Sequence, residues 1–277
     1  MSPAKPTTNA IFTMDRHNLS QYLEFALRLA QASGELILPY FRTQLQIENK
    51  GSSLDYQPVT LADRSAEEFI RGRLAERFPE HAISGEELGH ATSDQRCTWL
   101  IDPIDGTRNF VLGLLHWGTM IALNDGERPV LGVVYQPYVG ESFVACIPGR
   151  AQWRRGSVAT TLSCRTCATL AEASVAVSDP AQFGNPRERR TLSAMRRYAR
   201  DVRYGAECYG ACLLASGLID VVLDVNLDAY DVQPLVPIIE AAGGVISDWD
   251  GHPCYAGGSI IACSTGRLHA EVLELIA

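Results

Sequence analysis

The sequence predicts a layered protein of mixed helices and sheet, α/β (α+β) in class. Three observations predict it. Two stretches of helical apolar spacing come first, a run of short β-branched segments follows, and strand-like and helix-like segments then alternate to the end. No period of 20–50 residues recurs, and no low-complexity linker divides the 277 residues.

Taken in order, residues 1–17 read as a flexible tail and residues 18–277 as a single unit, with an α+β part over about 18–150 and an α/β part over about 170–277. Apolar residues at 19, 22, 23, 26, 29, 30, 36, 37 and 40 predict an amphipathic helix over 18–41. The same spacing at 62, 66, 69, 70, 74 and 78 predicts a second helix, and Thr60 with Asp63 fits a capping box at its start. The segments CTWLI, GTMIALN, VLGVVYQP and SFVACI read as strands of an antiparallel-looking sheet, two of them joined by a hairpin through ERPVLG. Strands at ASVAVS, DVVLDV, GGVISDW and SIIACS alternate with helices over 186–200, GAECYGACLLASG, 231–242 and 266–276. Pro237 is awkward inside its helix because it removes a backbone donor, so the pattern predicts a kink or a late start there.

Composition narrows the function. Apolar residues make up 46% of the chain, ample for a core, and the net charge is −8 with no long run of one sign. That argues against nucleic acid, which needs a concentrated basic footprint. No apolar run approaches the ~18 residues of a membrane span, and the N-terminus lacks the apolar segment of a secretory signal. Most of the eight cysteines sit singly in strand-like runs, as small hydrophobes do. Cys164 and Cys167 have C-x-x-C spacing, but no second pair completes a metal set, so reduced thiols in a cytoplasmic protein are expected.

The chemistry lies in carboxylates. Asp102 and Asp105 end an apolar strand in WLIDPIDGTRNF, Glu86 and Glu87 follow another in ISGEELG, and Asp231 opens a helix. Each has an ordinary reading: turn chemistry for Asp102-Pro103, a solvated loop for the glutamates, a helix cap for Asp231. Together with Asp63 they make four acidic loci at the mouths of apolar elements, and carboxylates so crowded repel unless protonated or bridged by cations. Hard oxygen ligands favour Mg²⁺ or Mn²⁺, and Mg²⁺ commonly completes its shell with phosphate oxygens. Backbone donors at Gly106 and Thr107, where a helix begins, suit an anion. These parts point to metal-assisted phosphoryl hydrolysis. The three-residue spacing in DPIDGT differs from the D-x-D-G-T of haloacid dehalogenase phosphatases, so an aspartyl-phosphate intermediate is not expected.

GEE at 85–87, WLIDPIDGTRNF at 99–110 and YDVQPLVPIIEAAGG at 230–244 resemble the inositol monophosphatase family in order and spacing. The resemblance implies a layered α/β/α/β/α sandwich and a Mg²⁺-dependent, commonly homodimeric phosphomonoesterase with two or three ions per site. It implies Glu86, Asp102 and the Ile104 carbonyl as ligands of one ion, and Asp102, Asp105 and Asp231 as ligands of a second. Thr107 and Asp63 would orient the attacking water, with Glu87 in support. Gly106 and Thr107 amides would hold phosphate, and Asp105, Glu207 and Asp231 would face the substrate.

Within the family, QPVTLADRSAEEFIR, RYGAECYGACLLASGLIDVVLD and AYDVQPLVPIIEAAGGVISDWDG resemble the histidinol-phosphate phosphatase branch. That branch typically has Gly-Asp-Cys-Tyr where this chain has Ala206-Glu207-Cys208-Tyr209, so Glu207 keeps the charge on a longer arm. A first-turn helix acid is the ordinary reading of Glu207. The expected substrate is L-histidinol phosphate, with inositol or another polyol phosphate as the alternative. A non-catalytic metal- or phosphate-binding regulator is the alternative of another class.

Overall fold

The computed structural model describes residues 16–51, 56–91 and 96–277. Most of the expected tail, up to residue 15, lies outside these. Helix α1 begins at Arg16 and runs to Ile37, where Pro39 diverts the chain into a short 3-10 turn, four residues before the expected end.

Strands β1 (Glu48–Asn49) and β2 (Pro58–Val59) form a small antiparallel ribbon before α2 (Leu61–Arg77). The Thr60–Asp63 capping box is present at the start of α2. Then come β3 (Ala82–Gly85), β4 (Gly89–Ala91), β5 (Thr98–Asp105), the one-turn helix α3 (Thr107–Val111), β6 (Gly118–Asn124), β7 (Pro129–Gln136), β8 (Glu141–Cys146), β9 (Gln152–Arg155) and β10 (Val158–Thr161). Their sheet has the order β10-β9-β8-β7-β6-β5-β3-β4. It is antiparallel from β5 to β8 as expected and continues so through β9 and β10, which were not expected, while β3 joins β5 in parallel, which the sequence reading did not foresee.

The second half contains β11 (Ser174–Val177), α4 (Pro186–Tyr198), β12 (Asp201–Tyr204), α5 (Cys208–Ala215), β13 (Val221–Leu227), α6 (Ala229–Val232), α7 (Leu235–Ala241), β14 (Val245–Asp248), β15 (Gly258–Cys263) and α8 (Gly266–Ile276). Its sheet runs β12-β11-β13-β15-β14, parallel on the β12, β11 and β13 side and antiparallel beyond. The helix expected over 231–242 is two short helices, and Pro237 sits in the first turn of the second, where its missing N–H costs no helical bond.

Three apolar clusters define five layers. Leu23, Leu27, Ile70 and Leu74 of α1 and α2 cover one face of the first sheet against Ile101, Ile121 and Val133. On its other face Met120, Val134 and Phe143 meet Tyr209, Cys212, Val236 and Ile239 of α5 and α7, which also pack on Val222 and Ile260 of the second sheet. Leu192 and Met195 of α4 with Leu268 and Val272 of α8 close the outside against Val175, Val221 and Ile261. The molecule is an α/β/α/β/α sandwich. The carboxyl ends of the parallel pairs β3 and β5, and β11 and β13, open onto the same cleft.

Candidate active site

Strand β5 runs beyond the expected CTWLI segment, through Asp102 to Asp105. Residues three apart on a regular strand face opposite sides. A register shift against β6 between Asp102 and Asp105 restores both to one face, and it also accommodates Pro103, whose carbonyl accepts the Thr119 hydroxyl at 2.9 Å. Asp231, third residue of α6, meets them from the other half. One carboxylate oxygen from each of the three lies within 4.8 Å of the others.

Asp231 is not the cap of its helix. Asp228 takes that position, and the Asp231 carboxylate accepts the Asp228 N–H at 2.7 Å. Asp102 accepts the Ile104 N–H at 3.0 Å, and Asp105 accepts the Cys208 N–H at 2.9 Å. No cationic group is among the influences on these carboxylates. Burial, then Glu86 and the neighbouring aspartates, pushes Asp102 well above the usual carboxylate range. Burial foremost, with Asp105 next, does the same for Asp231. Burial also raises Asp105. Crowded carboxylates in this state either hold protons or gather cations. An all-oxygen donor set of this compactness fits a hard divalent ion.

At Gly106 the backbone turns through φ 79°, and an added Cβ would stand 2.7 Å from the His116 carbonyl, so glycine is required before α3. Thr107 follows. Its hydroxyl donates to the Ile104 carbonyl at 2.9 Å and lies 3.3 Å from Asp63 Oδ1. Asp63 is fully buried, and its Oδ2 accepts both the N–H (2.8 Å) and the hydroxyl (2.6 Å) of Thr60. The capping and functional readings of Asp63 therefore use different oxygens. Burial raises its pKa against those hydrogen bonds.

Glu86 and Glu87 follow β3, and Lys50 reaches both, 2.9 Å from Glu86 Oε1 and 2.7 Å from Glu87 Oε1. Burial opposes the Lys50 charge, but the two carboxylates more than offset it and its pKa is raised. Burial pushes Glu87 up to about 7. Glu86 stands outside the compact three-carboxylate set but faces it, as its influence on Asp102 shows.

Glu207 is not an ordinary first-turn acid. It precedes α5 with φ 47° and no capping bond, a conformation costly for a residue with a side chain. Burial, then Asp105 and Asp224, lifts it to about 8, opposed by a hydrogen bond with Ser178. Asp224 is buried, accepts the Ser178 N–H (2.8 Å) and hydroxyl (2.9 Å), and is raised to about 7, chiefly by burial. Asp102, Asp105, Thr107, Glu207, Asp231 and Lys50 all line one cavity of about 230 Å³.

Lys50, Ser178 and the Arg108–Asp179 ion pair (2.6 Å) escaped the sequence reading. Their partners lie 36 to 71 residues away, beyond any local signal.

The five layers enclose, between the two sheets, an acid-lined cleft whose oxygen donors suit a divalent cation. The chain belongs to the inositol monophosphatase family, whose profile matches residues 18–277. A bifunctional phosphatase, IMPL2, of Arabidopsis thaliana chloroplasts is 38% identical, over 92% of this chain and 75% of its own length. A histidinol-phosphatase of Chlorobaculum parvum is 33% identical over 92% of this chain and 96% of its own. The solved structure of an inositol monophosphatase from Zymomonas mobilis is 34% identical and superposes with a TM-score of 0.83, covering 95% of this chain and 99% of that one. Among the described residues no helix is long and apolar enough to cross a membrane.

Proposed function

We propose that this phosphatase hydrolyses L-histidinol phosphate to L-histidinol and phosphate, using Mg²⁺. Asp102, Asp105, Asp231, Glu86 and the Ile104 carbonyl would hold the ions. Bound there, they supply Lewis-acid neutralisation of phosphate oxygens and favour deprotonation of water. The chain's own residues do the rest. Gly106 and Thr107 present backbone N–H groups to the phosphate. Asp63 Oδ1 and the Thr107 hydroxyl, in direct contact at 3.3 Å, form a side-by-side pair that would orient an attacking water lying against both, and the raised pKa of Asp63 suits it to take the water's proton. Lys50 holds Glu87 in place beneath them. The D-P-I-D-G-T spacing lacks the nucleophilic aspartate of a D-x-D-G-T site, so water would attack phosphorus directly.

The substrate assignment rests on one observation: Glu207 lines the cavity beside Asp105, its Oε1 accepts the neutral Asn109 amide at 3.4 Å, and among the described residues no ion pair reaches it. With ions satisfying Asp105, the remaining carboxylates suit an ammonium carried by the substrate. The relative named histidinol-phosphatase supports the same reading. The test is phosphate release from histidinol phosphate and inositol 1-phosphate, with wild type and Glu207→Gln. The variant should raise KM for histidinol phosphate about tenfold, the scale of a lost charge-assisted hydrogen bond, and leave inositol phosphate unaffected. Equal turnover of both esters by wild type, with no effect of the variant, rejects the amine reading. It would favour a polyol phosphatase, which the likeness to the Zymomonas mobilis enzyme supports.

A further inference from the structure

One buried carboxylate takes no part in the chemistry above. Glu67 lies on α2 one turn after Asp63, on the same face, and is fully buried. A buried charge is costly unless paired and hydrogen-bonded. Its Oε1 accepts Arg71 Nε at 2.6 Å and the Leu88 N–H at 3.2 Å, and its Oε2 accepts the Glu87 N–H at 2.7 Å. Arg71 in turn donates to the Gly89 carbonyl.

The approach from the other side is equally tight. A Cβ on Gly85 would meet Glu67 Oε1 at 2.2 Å and Cδ at 2.5 Å. Gly85 lies in β3 with no positive φ, so contact with Glu67, not backbone conformation, excludes a side chain there. Glu67 thus packs under the residue before Glu86 and binds the two residues after it, while the Glu86 N–H is held by the Ile101 carbonyl of β5 at 3.2 Å. Because Asp63 and Glu67 share one helix, the water-holding group and the glutamate loop are referred to the same rigid element.

We infer that Glu67 is a positioning residue, which sets where Glu86 and Glu87 stand relative to Asp102, Asp105 and Asp231 without touching ion or substrate. The inference rests on the reading of those carboxylates as an ion site. If Glu67 were only structural support, its loss would lower stability and leave ion affinity alone.

The experiment is Mn²⁺ binding to the full chain, read by electron paramagnetic resonance, alongside melting temperature and Mg²⁺-dependent phosphate release. The proteins are wild type, Glu67→Gln, Gly85→Ala, Glu86→Gln and, as a destabilised control, Leu74→Ala in the core of α2. Glu67→Gln and Gly85→Ala should each weaken Mn²⁺ binding about 10- to 100-fold, the scale for groups that orient metal ligands. They should raise the Mg²⁺ needed for half-maximal rate by the same factor, with kcat largely restored at saturating Mg²⁺. Leu74→Ala should melt lower and bind Mn²⁺ as wild type does. Gly85→Ala should cost less in a Glu67→Ala background, where the clash is gone. Should Glu67→Gln fail to fold, Gly85→Ala carries the same prediction with the charge retained. Wild-type Mn²⁺ affinity in Glu67→Gln or Gly85→Ala, with Glu86→Gln weakened, overturns the inference. Wild-type affinity in Glu86→Gln as well overturns the ion-site reading and the inference with it.

Discussion

Asp220 and Asp102 are both buried carboxylates on the strands of this sandwich, and the chain treats them in opposite ways. Asp220, entering β13, accepts Arg165 Nε at 2.6 Å and the Ser174 N–H at 2.8 Å. Burial works against its charge, but Arg165 outweighs that and its pKa is lowered. Asp102, within β5, has three carboxylates among its influences and no cation, and burial lifts it well above the usual range. One charge is neutralised by the protein itself. The other is left for something the protein does not contain, which is the physical signature of a site that gathers cations.

The largest test of that contrast is catalytic. Asp102→Asn should cut phosphate release about 10³-fold, since several kcal/mol of metal-derived stabilisation is lost. Asp220→Asn should leave kcat within about twofold, because it touches no reacting group. Equal losses in the two variants would erase the distinction.

Stability should rank them the other way. Asp220→Ala leaves the Ser174 N–H unpaired and removes the partner of the partly exposed Arg165, and should cost about 1–3 kcal/mol in chemical denaturation. Asp102→Asn, measured in EDTA, should melt above wild type, because it removes a repelled charge.

The pH dependence of the metal-free protein sharpens this further. Glu207 and Asp224 have folded pKa values of about 8 and about 7, above their ordinary 4.5 and 3.8. The folded state therefore binds more protons than the unfolded state. The stability is fully present below the ordinary values and is lost as pH rises through the folded ones. In EDTA the melting temperature should fall as pH rises from about 4 to about 8 and level off above that, and fall less in Glu207→Gln. Asp220 runs the opposite way: its contribution is present above its ordinary 3.8 and disappears only in acid.

The smallest effect belongs to Thr60→Ala. Losing the α2 cap should cost about 1 kcal/mol. It also removes one of the two Thr60 donors to Asp63 Oδ2, the backbone N–H remaining, so a modest fall in kcat should accompany the loss of stability.

Much of this architecture was legible because its signals are local. The 3.6-residue spacing of α1 and α2, the Thr60–Asp63 box and the β-branched runs of β5 to β8 each announce an element within a few residues. The carboxylates at 102, 105 and 231 were visible as charge placed where charge is costly. What remained hidden depends on contacts across the chain. Strand β12 and the two strands of the β9–β10 hairpin are each four residues long with no buried residue, too short and too exposed to stand out from a loop. The parallel pairing of β3 with β5 has no local signature. The bulge that turns Asp105 onto the face of Asp102, the positive φ of Glu207 and the bonds from Glu67 to residues 87 and 88 arise only once the layers are packed.

The most direct test of the central claim is the melting temperature of wild type and Asp102→Asn, each in EDTA and in excess Mg²⁺. The account predicts that Mg²⁺ raises the wild-type value, by about 2.7 kcal/mol of stabilisation at a hundredfold excess over Kd. It also predicts that Asp102→Asn starts higher in EDTA and loses most of the Mg²⁺ response. A wild-type melting temperature indifferent to Mg²⁺, with Asp102→Asn no more stable in EDTA, would contradict it.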